Sequence, residues 1–204
     1  MLLTTAYFPP IEYFAAIASG GSSFCLEACE NYQKQSYRNR CHICGANGKE
    51  MLNVPVVHEN GTFHLPITQI RISYATPWVT RTERAIASAY GSSAFFEYYR
   101  DGIFSILESR PETLWELNLA LMRHLLDKCG ITAGIRFSSR FGSEDVLDIH
   151  PKRPNSILED LQLKKPYFQV FSGKYGFIPN LSIIDLLFNE GPGAMEFLRS
   201  ASPK

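Results

Sequence analysis

Lys34-Gln35-Ser36-Tyr37-Arg38-Asn39-Arg40-Cys41-His42-Ile43-Cys44 gathers three cations, two amides, two hydroxyls, two thiols and an imidazole into eleven residues. Such a run suits an anionic or strongly hydrogen-bonding ligand. The forked guanidiniums of Arg38 and Arg40 match phosphate or carboxylate oxygens in pairs, and Lys34 adds a point charge. Read as a strand over Gln35–Cys44, the segment places Lys34, Ser36, Arg38, Arg40, His42 and Cys44 on one face. Gln35, Tyr37, Asn39, Cys41 and Ile43 take the other. The cations then form a row of donors spaced about 6.6 Å apart, lining a cleft that also receives Tyr13. The competing reading, a solvated sheet face whose cations guard an edge, weighs about the same.

Other chemistries fit these residues less well. Cys41-His42-Ile43-Cys44 supplies half a zinc site, and no second pair of suitable spacing follows it. Cys25 and Cys29 are four apart, but alternation along a strand turns Cys41 and Cys44 to opposite faces. The thiols therefore read as small buried apolar residues, and no metal or cofactor is expected. A Cys–His nucleophile meets the same obstacle, because His42 and Cys41 point apart. His58, His64, His124 and His150 are scattered along the chain. Gly-x-Ser-x-Gly, a Walker loop and Gly-x-Gly-x-x-Gly are all missing, so hydrolase and P-loop readings lack their marker. A second cluster, Tyr167–Phe171 with Phe177–Ser182, places Ser182 as a helix cap. Asn180 and Asp185 from this region either reach the ligand or hydrogen-bond a loop.

The elements that must position these residues follow from length and pattern. The 204 residues are 45% hydrophobic and 20% charged, which is enough for one well-cored domain over 1–204. Twenty basic residues balance twenty acidic ones, against bulk nucleic-acid binding or a polybasic membrane surface. The first residues lack the cationic start of a signal peptide, and no apolar run approaches the roughly 20 residues of a membrane span. A cytoplasmic location with reduced thiols is the expectation.

Residues 1–75 read as rich in extended structure. Short strands are expected at Ala6–Phe8, Phe24–Ala28, Gln35–Ile43, Met51–Val57 and Ile67–Tyr74, with a helix over Ile11–Ala18 between the first two. Asn47-Gly48 signals a hairpin whose two central residues take positive φ, and Glu59-Asn60-Gly61 signals another turn. Helices are expected at Pro77–Ala89, Ser93–Glu108 and Glu112–Cys129. In the last, Leu114, Leu117, Leu121 and Leu125 recur at helical spacing and Gly130 supplies the stop. From 131 to the end the pattern is mixed: a strand over Ile131–Phe141, a turn or short helix at Ser143–Asp148, and a helix through Ile183–Leu187. The fold class is α+β, with a mixed or mainly antiparallel sheet from the N-terminal half and a helical middle.

The chain resembles the WbqC-like family, in the branch common in Bacteroidetes. Tyr7-Phe8-Pro9-Pro10-Ile11-Glu12-Tyr13-Phe14, the Lys34–Cys41 run, the Asn47-Gly48 turn and Val54-Pro55-Val56 carry the resemblance. Ala87–Tyr90, Phe95–Tyr99, Tyr167–Phe171 and Asn180–Asn189 extend it in order along the chain. The resemblance implies an amide-forming transfer of an amino acid such as glycine onto an amino sugar, in the assembly of lipopolysaccharide O-antigen. A nucleotide sugar or an activated amino acid would be the anionic substrate. Two positions depart from the family pattern: Thr82 stands where a His is common, and Ala94 where a Pro is.

On that reading Lys34, Arg38 and Arg40 cradle the anion, with Tyr13, Asn180 and Asp185 approaching from distant segments. Glu27 and His42 are the candidates to orient or deprotonate the amine. Asn39, or the backbone amides where the Pro9-Pro10 helix starts, would face the developing oxyanion. The N-terminal strand, Pro-Pro and helix also resemble the start of HIGH-type nucleotidyltransferases, without their His-x-x-His element. The alternative is a non-catalytic module that binds a nucleotide sugar or a partner enzyme.

Overall fold

The computed structural model describes residues 1–58, 64–142, 146–147 and 166–200. In its first half the elements are β1 (Leu2–Leu3), α1 (Ile11–Ser19), β2 (Ser23–Leu26), β3 (Arg40–Gly45) and β4 (Gly48–Asn53). Three long helices follow, α2 (Trp78–Tyr90), α3 (Phe96–Glu108) and α4 (Leu114–Lys128). Then come β5 (Gly134–Phe137), β6 (Val146–Leu147), α5 (Ser172–Tyr175), α6 (Ile183–Glu190) and α7 (Ala194–Ser200).

The mixed α+β character is as expected, but the strands divide into two sheets. β1 pairs in parallel with β2 on one side and β6 on the other, and β5 pairs in parallel with β2, giving the order β5-β2-β1-β6. Parallel neighbours need a crossover, and α1 provides it between β1 and β2. Counting only these strands along the chain, the order is 3-2-1-4, as in the first four strands of doubly wound nucleotide-binding sheets. The second sheet is the antiparallel β3–β4 hairpin.

Several strand expectations are corrected. The first strand is Leu2–Leu3 rather than Ala6–Phe8. Pro9 and Pro10 have no amide to donate and Phe8 takes φ 41°. The Gln35–Ile43 strand begins only at Arg40. Met51–Val57 stops pairing at Asn53, two residues before Pro55, and only Val56 resumes with an isolated bridge to Ile72. Ile67–Gln69 is a 3-10 turn, followed by isolated bridges at Arg71 and Ile72. Val146–Leu147 is a strand beside β1, not a turn or helix. At the hairpin tip the positive φ falls on Gly48 alone (96°), after Ala46-Asn47. The Glu59–Gly61 turn lies outside the described residues.

The helices expected over 11–18, 77–89, 93–108, 112–129 and 183–187 form, within a few residues at their ends. α4 starts in a reciprocal cap: Thr113 Oγ1 accepts from the Glu116 amide at 3.2 Å, and the Glu116 carboxylate accepts from the Thr113 amide at 3.1 Å. Its Leu114, Leu117, Leu121 and Leu125 are fully buried. The α6 helix is buried along Ile183–Asn189, so it runs through the core rather than over it. No helix among the described residues is long and apolar enough to cross a membrane.

One junction ties the two ends of the chain together. The first amides of α1 would lack partners, and the 180–183 segment supplies them. Leu181 O accepts from the Ile11 amide at 3.0 Å and Asn180 Oδ1 from the Glu12 amide at 3.0 Å. In return the Ile183 amide donates to Pro9 O at 2.8 Å and Ser182 Oγ donates to Phe8 O at 2.9 Å. Asn180 can do this because it holds a left-handed backbone, φ 56°, which Asn tolerates better than most residues. Asn180→Gly, which keeps that backbone but loses the cap and the bond from Asn180 Nδ2 to Glu12 Oε1 (2.7 Å), is expected to cost about 1 kcal/mol in urea unfolding. Asn180→Ala adds strain and should cost about 0.5–1 kcal/mol more. Equal stability for Asn180→Gly and wild type would show that the cap contributes nothing.

Candidate functional site

The hairpin register brings distant polar residues into line. Arg40 pairs directly with Asn53 and His42 with Met51. Alternation along β3 sends Cys41 and Ile43 into the core while Arg40 and His42 stay half-buried on the other face. Ahead of Arg40 the chain turns instead of extending. Gln35 takes φ 58°. Ser36 Oγ donates to Gln33 O at 2.7 Å and accepts from the Arg38 amide at 3.4 Å. Such local side-chain bonds compete with sheet pairing, and they dismantle the expected single row of cations.

Arg38 consequently points inward. It is the largest fully buried side chain, 1% exposed. Its Nε donates to Glu30 Oε1 at 3.0 Å, and its Nη2 donates to Glu30 Oε2, closing a bidentate pair. Glu30 itself is 3% exposed. Tyr13 lies near this pair, fully buried, and does not line the cavity beyond Arg38. Its hydroxyl donates to Thr4 O at 2.6 Å, and burial with Glu30 nearby raises its pKa well above the usual phenol value. Asn118 Nδ2 on α4 donates to Arg38 O at 2.8 Å, and Tyr37 O accepts from the Tyr7 amide at 2.8 Å. The Tyr37–Arg38 backbone is thereby pinned from two sides.

Beyond Arg38 the side chains of Asn39 and Arg40 open into a cavity of about 450 Å³. Lys34, Gln35, Tyr32, Asn53, His58 and Ser73 share its lining, and no carboxylate is among the described lining residues. Asn39 Nδ2 donates to Val54 O at 2.9 Å and to Asn53 Oδ1 at 3.2 Å. Val54 O accepts only, so the amide orientation is fixed, and Asn39 Oδ1 stays buried without a donor among the described residues. Arg40 has no ion pair among the described residues, and its buried Nε finds no acceptor. The cavity thus offers cationic donors together with one unmet acceptor.

The remaining expected residues lie elsewhere. Glu27, fully buried past the end of β2, clasps a loop. Its carboxylate accepts from the Cys29 amide (2.8 Å), Ser138 Oγ (2.6 Å) and the Gly142 amide (3.0 Å). Asn180 caps α1. Asp185 is buried in the core, where it accepts from the Tyr167 hydroxyl and from Gln169 Nε2 at 3.0 Å. Burial pushes its carboxyl upward, and the bonds from Tyr167 and Gln169 pull it partly back. His42 shares the β3 face of Arg40 but does not line the cavity. Burial first, then Lys49 and Arg40, push its pKa down to about 4, so it is neutral near pH 7. Its Nδ1 has no partner among the described residues. Thr82 is buried on α2. Among the described residues no three His, Cys, Asp or Glu gather as metal ligands.

Of the expected set, then, the fold unites Lys34, Asn39 and Arg40 in one cavity and joins Tyr13 with Arg38 around Glu30. Glu27, His42, Asn180 and Asp185 stay apart from that cavity. Tyr32, Asn53, His58, Ser73 and the partner Glu30 were not anticipated. Asn53 was not legible from the turn: with Asn47 and Gly48 at its centre, counting back sets Pro55 opposite Arg40, whereas the observed tip at Ala46-Asn47 sets Asn53 there.

A model of the WbqC-like protein family matches residues 5–159. The uncharacterized protein Rv1507c of Mycobacterium tuberculosis is 26% identical over 97% of this chain and 96% of its own length. No solved structure matches the chain.

His42 generates a pH prediction. Its folded pKa lies below the unfolded value of 6.5, so the unfolded chain binds the proton more readily. The stability tied to neutral His42 is complete above pH 6.5 and is lost as pH falls towards 4. Between those limits the unfolding free energy of wild type minus that of His42→Gln should drop by about 1–2 kcal/mol, allowing for partial exposure. A difference that stays flat with pH would contradict the burial argument.

Proposed function

This chain belongs to the WbqC-like family, and from that premise we propose that it is an amide-forming aminoacyl transferase, glycyl-type, acting on a phosphate-bearing amino sugar of a cell-surface polysaccharide precursor. The observation that carries the reading is the cavity into which Arg40 opens, a guanidinium with no ion pair among the described residues, with Lys34 and His58 on the same lining. Lys34 and Arg40 bind the phosphate. Asn39 Oδ1, the unmet acceptor, takes an N–H or O–H of the sugar. That replaces its expected part as an oxyanion donor, because its Nδ2 protons are already committed to Asn53 and Val54. Arg38, with Tyr13, acts as framework.

In the reaction the sugar amine nitrogen forms a bond to the acyl carbon. The bond from that carbon to the activating group breaks, and the group departs with the electron pair. The amine proton goes to a base, for which His42 is assigned: it is neutral near pH 7 and next to Arg40 along the same face of β3.

A binding module without turnover is the second reading. The full engagement of Glu27 and the distance of His42 from the cavity lining favour it. Incubation with a glycyl thioester and a panel of nucleotide amino sugars, followed by mass spectrometry, separates the two. The transferase reading expects a glycyl mass gain that disappears in His42→Gln while sugar binding persists. It also expects Arg40→Gln to weaken sugar binding by about 1.5–3 kcal/mol. Binding without any mass gain across the panel would leave the module.

A further inference from the structure

We infer that a second cavity, across the end of β4 from the cationic one, is the subsite for the acyl donor and recognises it through a carbonyl or carboxylate group. The inference rests on the transferase reading for the identity of the two ligands; the subsite itself rests on geometry. The cavity measures about 320 Å³ and lies between β4 and α2. Asn53 and Pro55 line both cavities, so one thin wall separates them. Two ligands seated in the two cavities would approach each other over Asn53, the geometry a two-substrate transfer requires.

The chemistry of the lining differs from that of its neighbour. Met51, Leu52 and Ala85 give it apolar surface, and its polar groups are hydroxyls and donors rather than carboxylates. Trp78, the first residue of α2, is 4% exposed, yet its indole Nε1–H has no acceptor among the described residues. A buried donor left unmet is uncommon in a folded protein and points to a ligand atom that accepts. Arg81, one turn along α2, lines the same cavity from an exposed position and has no ion pair among the described residues. Thr82 adds a hydroxyl next to that of Tyr7. An indole N–H and a guanidinium on one wall, above apolar surface, suit a small ligand bearing a carbonyl and a carboxylate.

The test uses N-acetylglycine as the acyl probe and pyrophosphate as the anion probe. Amide-type NMR spectra of the ¹⁵N-labelled protein contain indole N–H signals from Trp78 and Trp115, and Trp115→Phe assigns them. Addition of N-acetylglycine should move the Trp78 signal and leave Trp115 in place. Arg81→Gln, on an exposed position, should weaken that response about tenfold, whereas Arg40→Gln should change it less than about twofold. If the Trp78 signal does not move up to the solubility limit of the probe, or if Arg40→Gln weakens the response as much as Arg81→Gln does, the second subsite is refuted. The proposed function fails separately. N-acetylglycine binding with no pyrophosphate binding would sustain this subsite and remove the anion cleft. Pyrophosphate binding alone, lost in Arg40→Gln, would sustain the cleft and remove this subsite.

Discussion

The ion pair between Arg38 and Glu30 is the constraint on which the rest of the site depends. Removing two charges from water is costly, and their attraction offsets that cost only when geometry and further hydrogen bonds are good. Here both nitrogens of the fork meet both oxygens of the carboxylate, with Tyr13 alongside. The pair also determines direction. With Arg38 anchored inward and its carbonyl held by Asn118, the next two residues emerge with Asn39 bonded to Val54 and Arg40 at the start of β3. A cation that looked like a ligand contact thus positions the residues beyond it.

The same region receives support from the far end of the chain. Residues 180–183 cap α1, bond to the Phe8 and Pro9 carbonyls, and donate from the Ser182 amide to His42 O. α1 and β3 are therefore held by one segment that leads directly into the buried α6 helix. In doubly wound sheets the start of the first helix is an open anion seat. Here the amides of Ile11 and Glu12 already have protein acceptors, and the cationic cavity lies instead beside the hairpin. The strand order resembles a nucleotide-binding sheet; the location of the cationic cavity does not follow from it.

How much of this was legible in the sequence depended on the range of each interaction. Local signals read well: the leucine spacing and Thr113 cap of α4, the Asn47-Gly48 turn, and the Pro10 start of α1. The parallel sheet was not legible, because its strands run two to four residues, too short to show a period. Arg38 was misplaced on a strand because the Ser36 turn and the partner Glu30, eight residues earlier, leave no periodic trace. Asn180 and Asp185 were noticed as polar residues in an apolar stretch. Their partners, Glu12 and Tyr167 with Gln169, are set by tertiary contact alone. The hairpin was readable from its turn, but not its register, because Ala46 and Asn47 rather than Asn47 and Gly48 occupy the tip.

The central claim is that Arg38 is framework and not ligand contact, and a double-mutant cycle over Glu30→Gln and Arg38→Met, read as urea unfolding free energies, tests it most directly. Each single change leaves a buried polar or charged group without its partner and should cost about 3–5 kcal/mol. The double change should restore part of that loss, giving a coupling of at least about 2 kcal/mol. Arg38→Met with stability within about 0.5 kcal/mol of wild type, the range of an ordinary surface change, would contradict the account.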